Sequence, residues 1–175
     1  HLFSRVNIRR GKTHLPDGMA LDLRAECRRY EAAIHAAGGI DLQLLGLGGN
    51  GHIGFNEPMG SLGSRTWVKI LSRHTVEENG QLFSDPAEMP RHCITVGIGT
   101  ILESRHCLLL ALGERKAPAV AAMIEGPLTA ACPASALQLH PRTTVVLDEA
   151  AASNLAQLEH YRWVEENKLP WQQHR

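Results

Sequence analysis

The chain reads as an α/β protein, a Rossmann-like, mostly parallel sheet flanked by helices. Short apolar runs of strand length alternate with segments of helical periodicity, and the densest glycine stretch follows directly on one of the apolar runs. From Asp22 to Ala37, residues Leu23, Cys27, Tyr30, Ile34 and Ala37 recur at helical spacing, and Gly38-Gly39 supplies a stop. Leu42 to Leu47 is an apolar run bounded by turn signals, which suits a buried parallel strand better than one facing solvent. Cys107 to Leu112 predicts another buried strand, followed by Gly113 and a helix through Lys116 to Ile124. Thr143 to Leu147 predicts a further strand, and Glu149 to Lys168 a closing helix. Strands alternating with helices imply parallel pairing through right-handed crossovers. No internal repeat or low-complexity linker breaks the pattern, so residues 1–175 read as one domain.

With 175 residues the chain can bury a sizeable core. Its 18 Lys and Arg balance 18 Asp and Glu, so charge gives no reason to expect a nucleic acid or an anionic membrane as partner. No apolar run has the length to span a bilayer, and no signal peptide is visible. Cys27, Cys93, Cys107 and Cys132 are widely spaced with no CxxC pair, which indicates neither a disulfide framework nor a zinc motif; scattered thiols of this kind point to the cytoplasm. His35, His74, His92, His106, His140, His160 and His174 form no HxH or HxxxH pair, and no metal is expected.

The chemistry concentrates after the Leu42 run. Strand ends with glycine-rich exits are where α/β proteins hold ligands. Gly48, Gly49 and Gly51 let the backbone adopt positive φ and approach a ligand closely, His52 follows at once, and Glu57 lies five residues on. If the segment curls back, the Glu57 carboxylate reaches an imidazole nitrogen, fixes its tautomer and raises its pKa towards the range of general acid/base work. The plainer alternative is a glycine turn carrying a surface histidine and a helix-capping glutamate.

The stretch Asn50-Gly51-His52-Ile53-Gly54-Phe55-Asn56-Glu57-Pro58 closely resembles the signature of the glucosamine-6-phosphate deaminases, which convert that sugar phosphate and water into fructose 6-phosphate and ammonia. Ala25 to Glu31, Ser64-Arg65-Thr66, Thr95 to Thr100 and Pro133 to His140 fall in the order that family shows, so the resemblance covers nearly the whole chain. Related gluconolactone-phosphate hydrolases share the fold but lack Phe55-Asn56-Glu57-Pro58. The resemblance implies the C-terminal portion of such a domain. The chain opens on His1-Leu2-Phe3, and neither the phosphate loop nor the proton-transferring Asp that the family carries earlier has a counterpart; the 175 residues alone are expected to be inactive.

By the same resemblance His52 opens the sugar ring, taking a proton from the anomeric hydroxyl and delivering one to the ring oxygen, while Glu57 orients it. Asn50 matches a position that is Asp in many members; it holds His52 by a hydrogen bond without adding charge, or is only a turn residue. Lys116 would contact the phosphate where a strand gives way to a helix, its alternative being a solvated lysine on a helix. Gln81 stands where members usually have Arg, which removes a charge and a fork for phosphate. Trp67 replaces a cation of the allosteric pocket near Ser61 and Lys69, so little activation by N-acetylglucosamine 6-phosphate is expected, and packing is the simpler role for that indole. No metal or organic cofactor is required. Galactosamine 6-phosphate as substrate, or a sugar-phosphate-binding regulator without turnover, stays open, and Trp163 and Trp171 are compatible with contacts in a homo-oligomer.

Overall fold

The computed structural model describes residues 3, 5–85 and 88–172; His1, Leu2 and His174 lie outside them. The first helix, α1 (Leu23–Ala36), begins where the Asp22 carboxylate accepts the amides of Arg24 and Ala25, both at 2.9 Å. Those two amides have no partner within the helix, and a negative group there also suits the helix dipole. The helix ends one residue short of the predicted Ala37, and the chain turns at Gly38 and Gly39, both at φ +89°.

Strand β1 (Gln43–Gly46) follows, then β2 (Trp67–Ile70), α2 (Arg73–Gly80), β3 (His92–Thr95), the short α3 (Ile98–Leu102), β4 (Cys107–Ala111), α4 (Ala117–Ile124), β5 (Thr143–Leu147) and α5 (Leu158–Glu166). Strands β1, β4 and β5 form a parallel sheet in that order, with Leu45, Leu109 and Val145 in one row of the register. Strands β2 and β3 pair antiparallel as a separate ribbon, with α2 in the connection between them. The mostly parallel α/β architecture expected from the apolar runs is thus present.

One face of the parallel sheet builds the core. Leu45, Cys107, Leu109 and Ala111 are buried against Val120 and Met123 of α4, Ile98 and Ile101 of α3, and Ala134, Ala136 and Leu137 of the 3-10 segment Pro133–Leu139. Each aliphatic side chain fully buried in this way contributes roughly 1.5–3 kcal/mol. The opposite face differs from expectation. Leu44, Leu110 and Val146 alternate with the core residues and are 59%, 42% and 45% exposed. The runs are apolar on both sides, as parallel strands covered on both faces would be, and these three side chains stay partly open to solvent.

The last predicted helix is also corrected. Residues 149–156 form turns, and α5 begins only at Leu158. Two carboxylates capture amides that a continuous helix would have used internally. Asp148 accepts from Gly113 and Ala151, and Glu125 at the end of α4 accepts from Ala156 and Gln157, both at 2.9 Å. Trp163 and Trp171 are exposed. All four cysteines are free. Among the described residues no helix is long and apolar enough to cross a membrane, and no group of three or more His, Cys, Asp or Glu is arranged to hold a metal ion.

Candidate active site

The exit of β1 is shaped by its glycines. Gly51 sits at φ +82°, and its carbonyl accepts the Ala134 amide at 2.9 Å, tying the loop to the 3-10 segment. A β-carbon at Gly51 would come within 2.7 Å of the Cys132 sulfur. At Gly48 a β-carbon would overlap the ring of His52, so the imidazole lies flat against bare backbone. Asn56, 2% exposed, pins the far side of the loop; its amide donates to the carbonyls of Ile53 and Val96 and accepts the Trp67 indole N–H at 3.1 Å.

These contacts bring Asn50, His52 and Glu57 together. Asn50 Oδ1 is 2.7 Å from His52 Nδ1, and Asn50 Nδ2 donates to Glu57 Oε2 at 2.8 Å. Imidazole and carboxylate are 3.7 Å apart. A carboxylate only accepts, so Asn50 must turn its amide nitrogen to Glu57 and its oxygen to His52. The proton of the neutral ring therefore resides on Nδ1, and Nε2 keeps its lone pair. Among the described residues Nε2 makes no hydrogen bond. Glu57 thus stands at ion-pair distance from His52, as the spacing predicts, while the hydrogen-bonded link between the two runs through Asn50.

Glu57 is 4% exposed, and burial opposes its ionisation. The nearby Thr75 hydroxyl, hydrogen bonds from the Asn50 amide and the Ser72 backbone amide, and the charge of His52 together outweigh burial and hold the carboxyl below its ordinary value. For His52 burial wins. Desolvation pushes the imidazole below its ordinary value; the Glu57 carboxylate pulls upward, and the Lys116 ammonium adds to the depression. This reverses the predicted upward shift, because the one close negative charge is spread over several donors while the ring itself is only 9% exposed.

His52 and Lys116 line one cavity of about 400 Å³ with Gly46, Leu47, Gly48 and Phe55. Lys116 closes a 3-10 turn at the start of α4, and Gly113, at φ +87° and ψ 152°, makes the preceding bend. That backbone region is open essentially to glycine alone, and the bend brings a cation and a helix start together. Gly54, Glu78, Asn79 and Thr95 complete the wall. A larger groove of about 860 Å³ between β5 and α5 holds none of the expected site residues.

Of the residues singled out from sequence, Gly48, His52 and Lys116 line this cavity, Asn50 and Glu57 stand behind His52 in its hydrogen-bond chain, and Gly51 does not line it but faces Cys132 in the loop below. Gln81 does not line the cavity; it is exposed and its side chain folds back onto the Glu78 carbonyl at 2.9 Å. Trp67 packs against Asn56 with the Lys69 ammonium 4.6 Å from its ring centroid. His140 is a buried, doubly bonded histidine, to the Ser104 carbonyl and the Arg142 amide. Ser72 and Thr75 were not legible from sequence. A Ser three residues before a Thr at a helix start was the available signal, and it reads as an ordinary cap.

A histidine fixed in one tautomer at the mouth of a parallel strand, beside a lysine at a helix start, is an arrangement with which an α/β protein can handle a small anionic ligand. The model of the glucosamine-6-phosphate isomerases and 6-phosphogluconolactonases matches residues 1–146, and the chain belongs to that family. It is similar to the glucosamine-6-phosphate deaminase of Pseudarthrobacter chlorophenolicus, 53% identical over 96% of this chain and 65% of that one. That of Shewanella loihica is 56% identical over 96% and 63%. A solved monomeric glucosamine-6-phosphate deaminase superposes with a TM-score of 0.81 at 46% identity, over 83% of this chain and 61% of that one. The 6-phosphogluconolactonase of Trypanosoma cruzi, at 23% identity and a TM-score of 0.58, shares the fold. The chain spans just under two thirds of the length of the curated relatives it matches.

Proposed function

We propose that the protein is a glucosamine-6-phosphate deaminase, which isomerises the aldose phosphate to a ketose and releases its amino group as ammonia. The observation that carries this reading is the free lone pair of His52 Nε2 in a cavity also lined by Lys116. Relatives of that name at more than half identity support it.

The neutral ring suits the first step. Nε2 takes the proton of the anomeric hydroxyl and returns it to the ring oxygen as the bond between C1 and that oxygen breaks, giving the open aldehyde. Through Asn50, the Glu57 carboxylate stabilises the imidazolium that exists between the two transfers. Lys116 takes the phosphate, while the bare backbone at Gly48 seats the His52 ring and the positive φ of Gly51 holds the loop beneath it. A proton then moves from C2 to C1 through an enolamine, water adds to the resulting imine carbon, and ammonia leaves. The resemblance gives the C2 proton to an Asp without a counterpart in this chain, so the 175 residues alone are expected to release no ammonia. Free, scattered cysteines fit a reducing compartment, and we assign the cytoplasm.

The test is ammonia release from glucosamine 6-phosphate by the reading frame extended upstream of His1, with His52→Gln as control. We expect release that falls by about 10²–10⁴ in the control. Binding of the sugar phosphate by a folded protein that releases none would favour a regulator instead, and release from galactosamine 6-phosphate alone would change the substrate.

A further inference from the structure

We infer that Glu78 is a specificity-determining residue of this site, its carboxylate receiving the ammonium group of an amino-sugar phosphate and disfavouring sugar phosphates that carry a hydroxyl in its place. The inference deepens the reading of the cavity as an amino-sugar phosphate site and rests on it.

The cavity has two poles. Among the described residues that line it, Glu78 is the single carboxylate and Lys116 the single lysine or arginine. They come from different elements, Glu78 from the last turn of α2 and Lys116 from the start of α4. Each is near enough to His52 to act on it, and in opposite senses: the Glu78 charge draws the imidazole pKa upward and the Lys116 charge pushes it down. A ligand that is only anionic gains at Lys116 and is repelled at Glu78, whereas one that carries both a phosphate and an ammonium gains at both. Asn79 and Thr95, also in the wall, already donate to the carbonyls of Thr75 and Val96.

Helix stability does not account for Glu78. A negative charge in the last turn of a helix opposes the helix dipole. Its partner His74 stands one turn earlier, with Nε2 at 3.5 Å from Glu78 Oε1, and basic before acidic is the less favourable order for such a pair. That contact is longer than a good charge-assisted hydrogen bond, and among the described residues no hydrogen bond is donated to the carboxylate, so its oxygens keep their capacity to accept.

The pair lies over the glycine loop instead. A β-carbon at Gly49 would stand 3.1 Å from His74 Nε2 and 3.4 Å from Glu78 Oε1. Bare backbone at that position thus lets the carboxylate settle on the loop that carries Asn50 and His52. With its side chain 40% exposed, it stays within reach of a ligand.

The test is calorimetric binding of glucosamine 6-phosphate and of glucose 6-phosphate, which has a hydroxyl in place of the amino group, by the reading frame extended upstream of His1. Every protein carries His52→Gln so that substrate is not consumed, and Glu78→Gln and His74→Gln are each added to that parent. The parent should prefer the amino sugar. Glu78→Gln is expected to lower the preference by about tenfold to a hundredfold, weakening glucosamine 6-phosphate while glucose 6-phosphate binds as before or more tightly. In His74→Gln the carboxylate remains and the preference should persist. An unchanged preference in Glu78→Gln overturns the inference, as does an equal loss in His74→Gln, which would trace the effect to the helical pair, or a parent that binds both sugars alike or neither. Binding is read apart from turnover. Ammonia release by the protein with His52 intact, joined to an unchanged preference in Glu78→Gln, sinks this inference and keeps the deaminase reading; silence joined to the expected loss of preference does the reverse.

Discussion

The His52 imidazole is tied to Asn50 rather than to Glu57. Its Nδ1 lies 2.7 Å from the amide oxygen and 3.7 Å from the carboxylate. The negative charge therefore reaches the ring through a neutral group, which fixes the tautomer while leaving burial in control of basicity.

Asn50→Asp should reverse that balance. A carboxylate at 2.7 Å from Nδ1 would favour the imidazolium, and the His52 midpoint is expected to rise by about one pH unit. In the extended protein the acid limb of the rate profile should move up with it. NMR titration of the ring checks this, and a midpoint that stays or falls would contradict the bridge.

Gly48→Ala should cost both activity and stability, because the new methyl occupies the space of the ring. Overpacking of this kind costs roughly 1–3 kcal/mol, and a displaced shuttle loses about 10²-fold or more in rate. Urea unfolding with ammonia release by the extended protein measures the two separately. Unchanged activity would mean that the ring does not work from this position.

Lys116→Gln should raise the Michaelis constant for glucosamine 6-phosphate about tenfold to a hundredfold, the loss of one charge-assisted contact, with a much smaller change in turnover number. A change confined to the turnover number would place Lys116 at the reacting carbons instead of the phosphate.

Stability should fall on acidification in two overlapping stages. His52 has its folded pKa below the ordinary 6.5, so the unfolded chain takes up a proton that the folded ring resists, and stability declines as pH drops from near 7. Glu57 is lowered from 4.5, so its contribution is present above that value and is lost as pH falls through the folded one. The sign is the same for both. Urea midpoints between pH 4 and 8 should show a flatter upper limb in His52→Gln, and an identical slope in variant and wild type would refute the assignment.

What sequence made legible was local. The apolar run ending at Leu47, the glycines after it and the Asp22 start of α1 each encode their geometry within a few residues, and the His52 loop could be read the same way. The β2–β3 ribbon was missed because its two four-residue strands lie on either side of α2 and neither alternates clearly enough to announce itself. Ser72 was missed because its partner Glu57 is set by how α2 packs over the loop. The excess length given to the last helix had a like cause, since Asp148 and Glu125 compete for amides from distant positions.

The partly exposed side of the sheet at Leu44, Leu110 and Val146 bears on how these 175 residues behave in a tube. A plate of aliphatic surface on a chain with zero formal net charge at neutral pH has nothing to hold copies apart. Colloidal stability is therefore poorest near neutrality and in sulfate-rich buffers, and improves where the histidines carry charge, which is the same acidic direction in which the fold itself weakens.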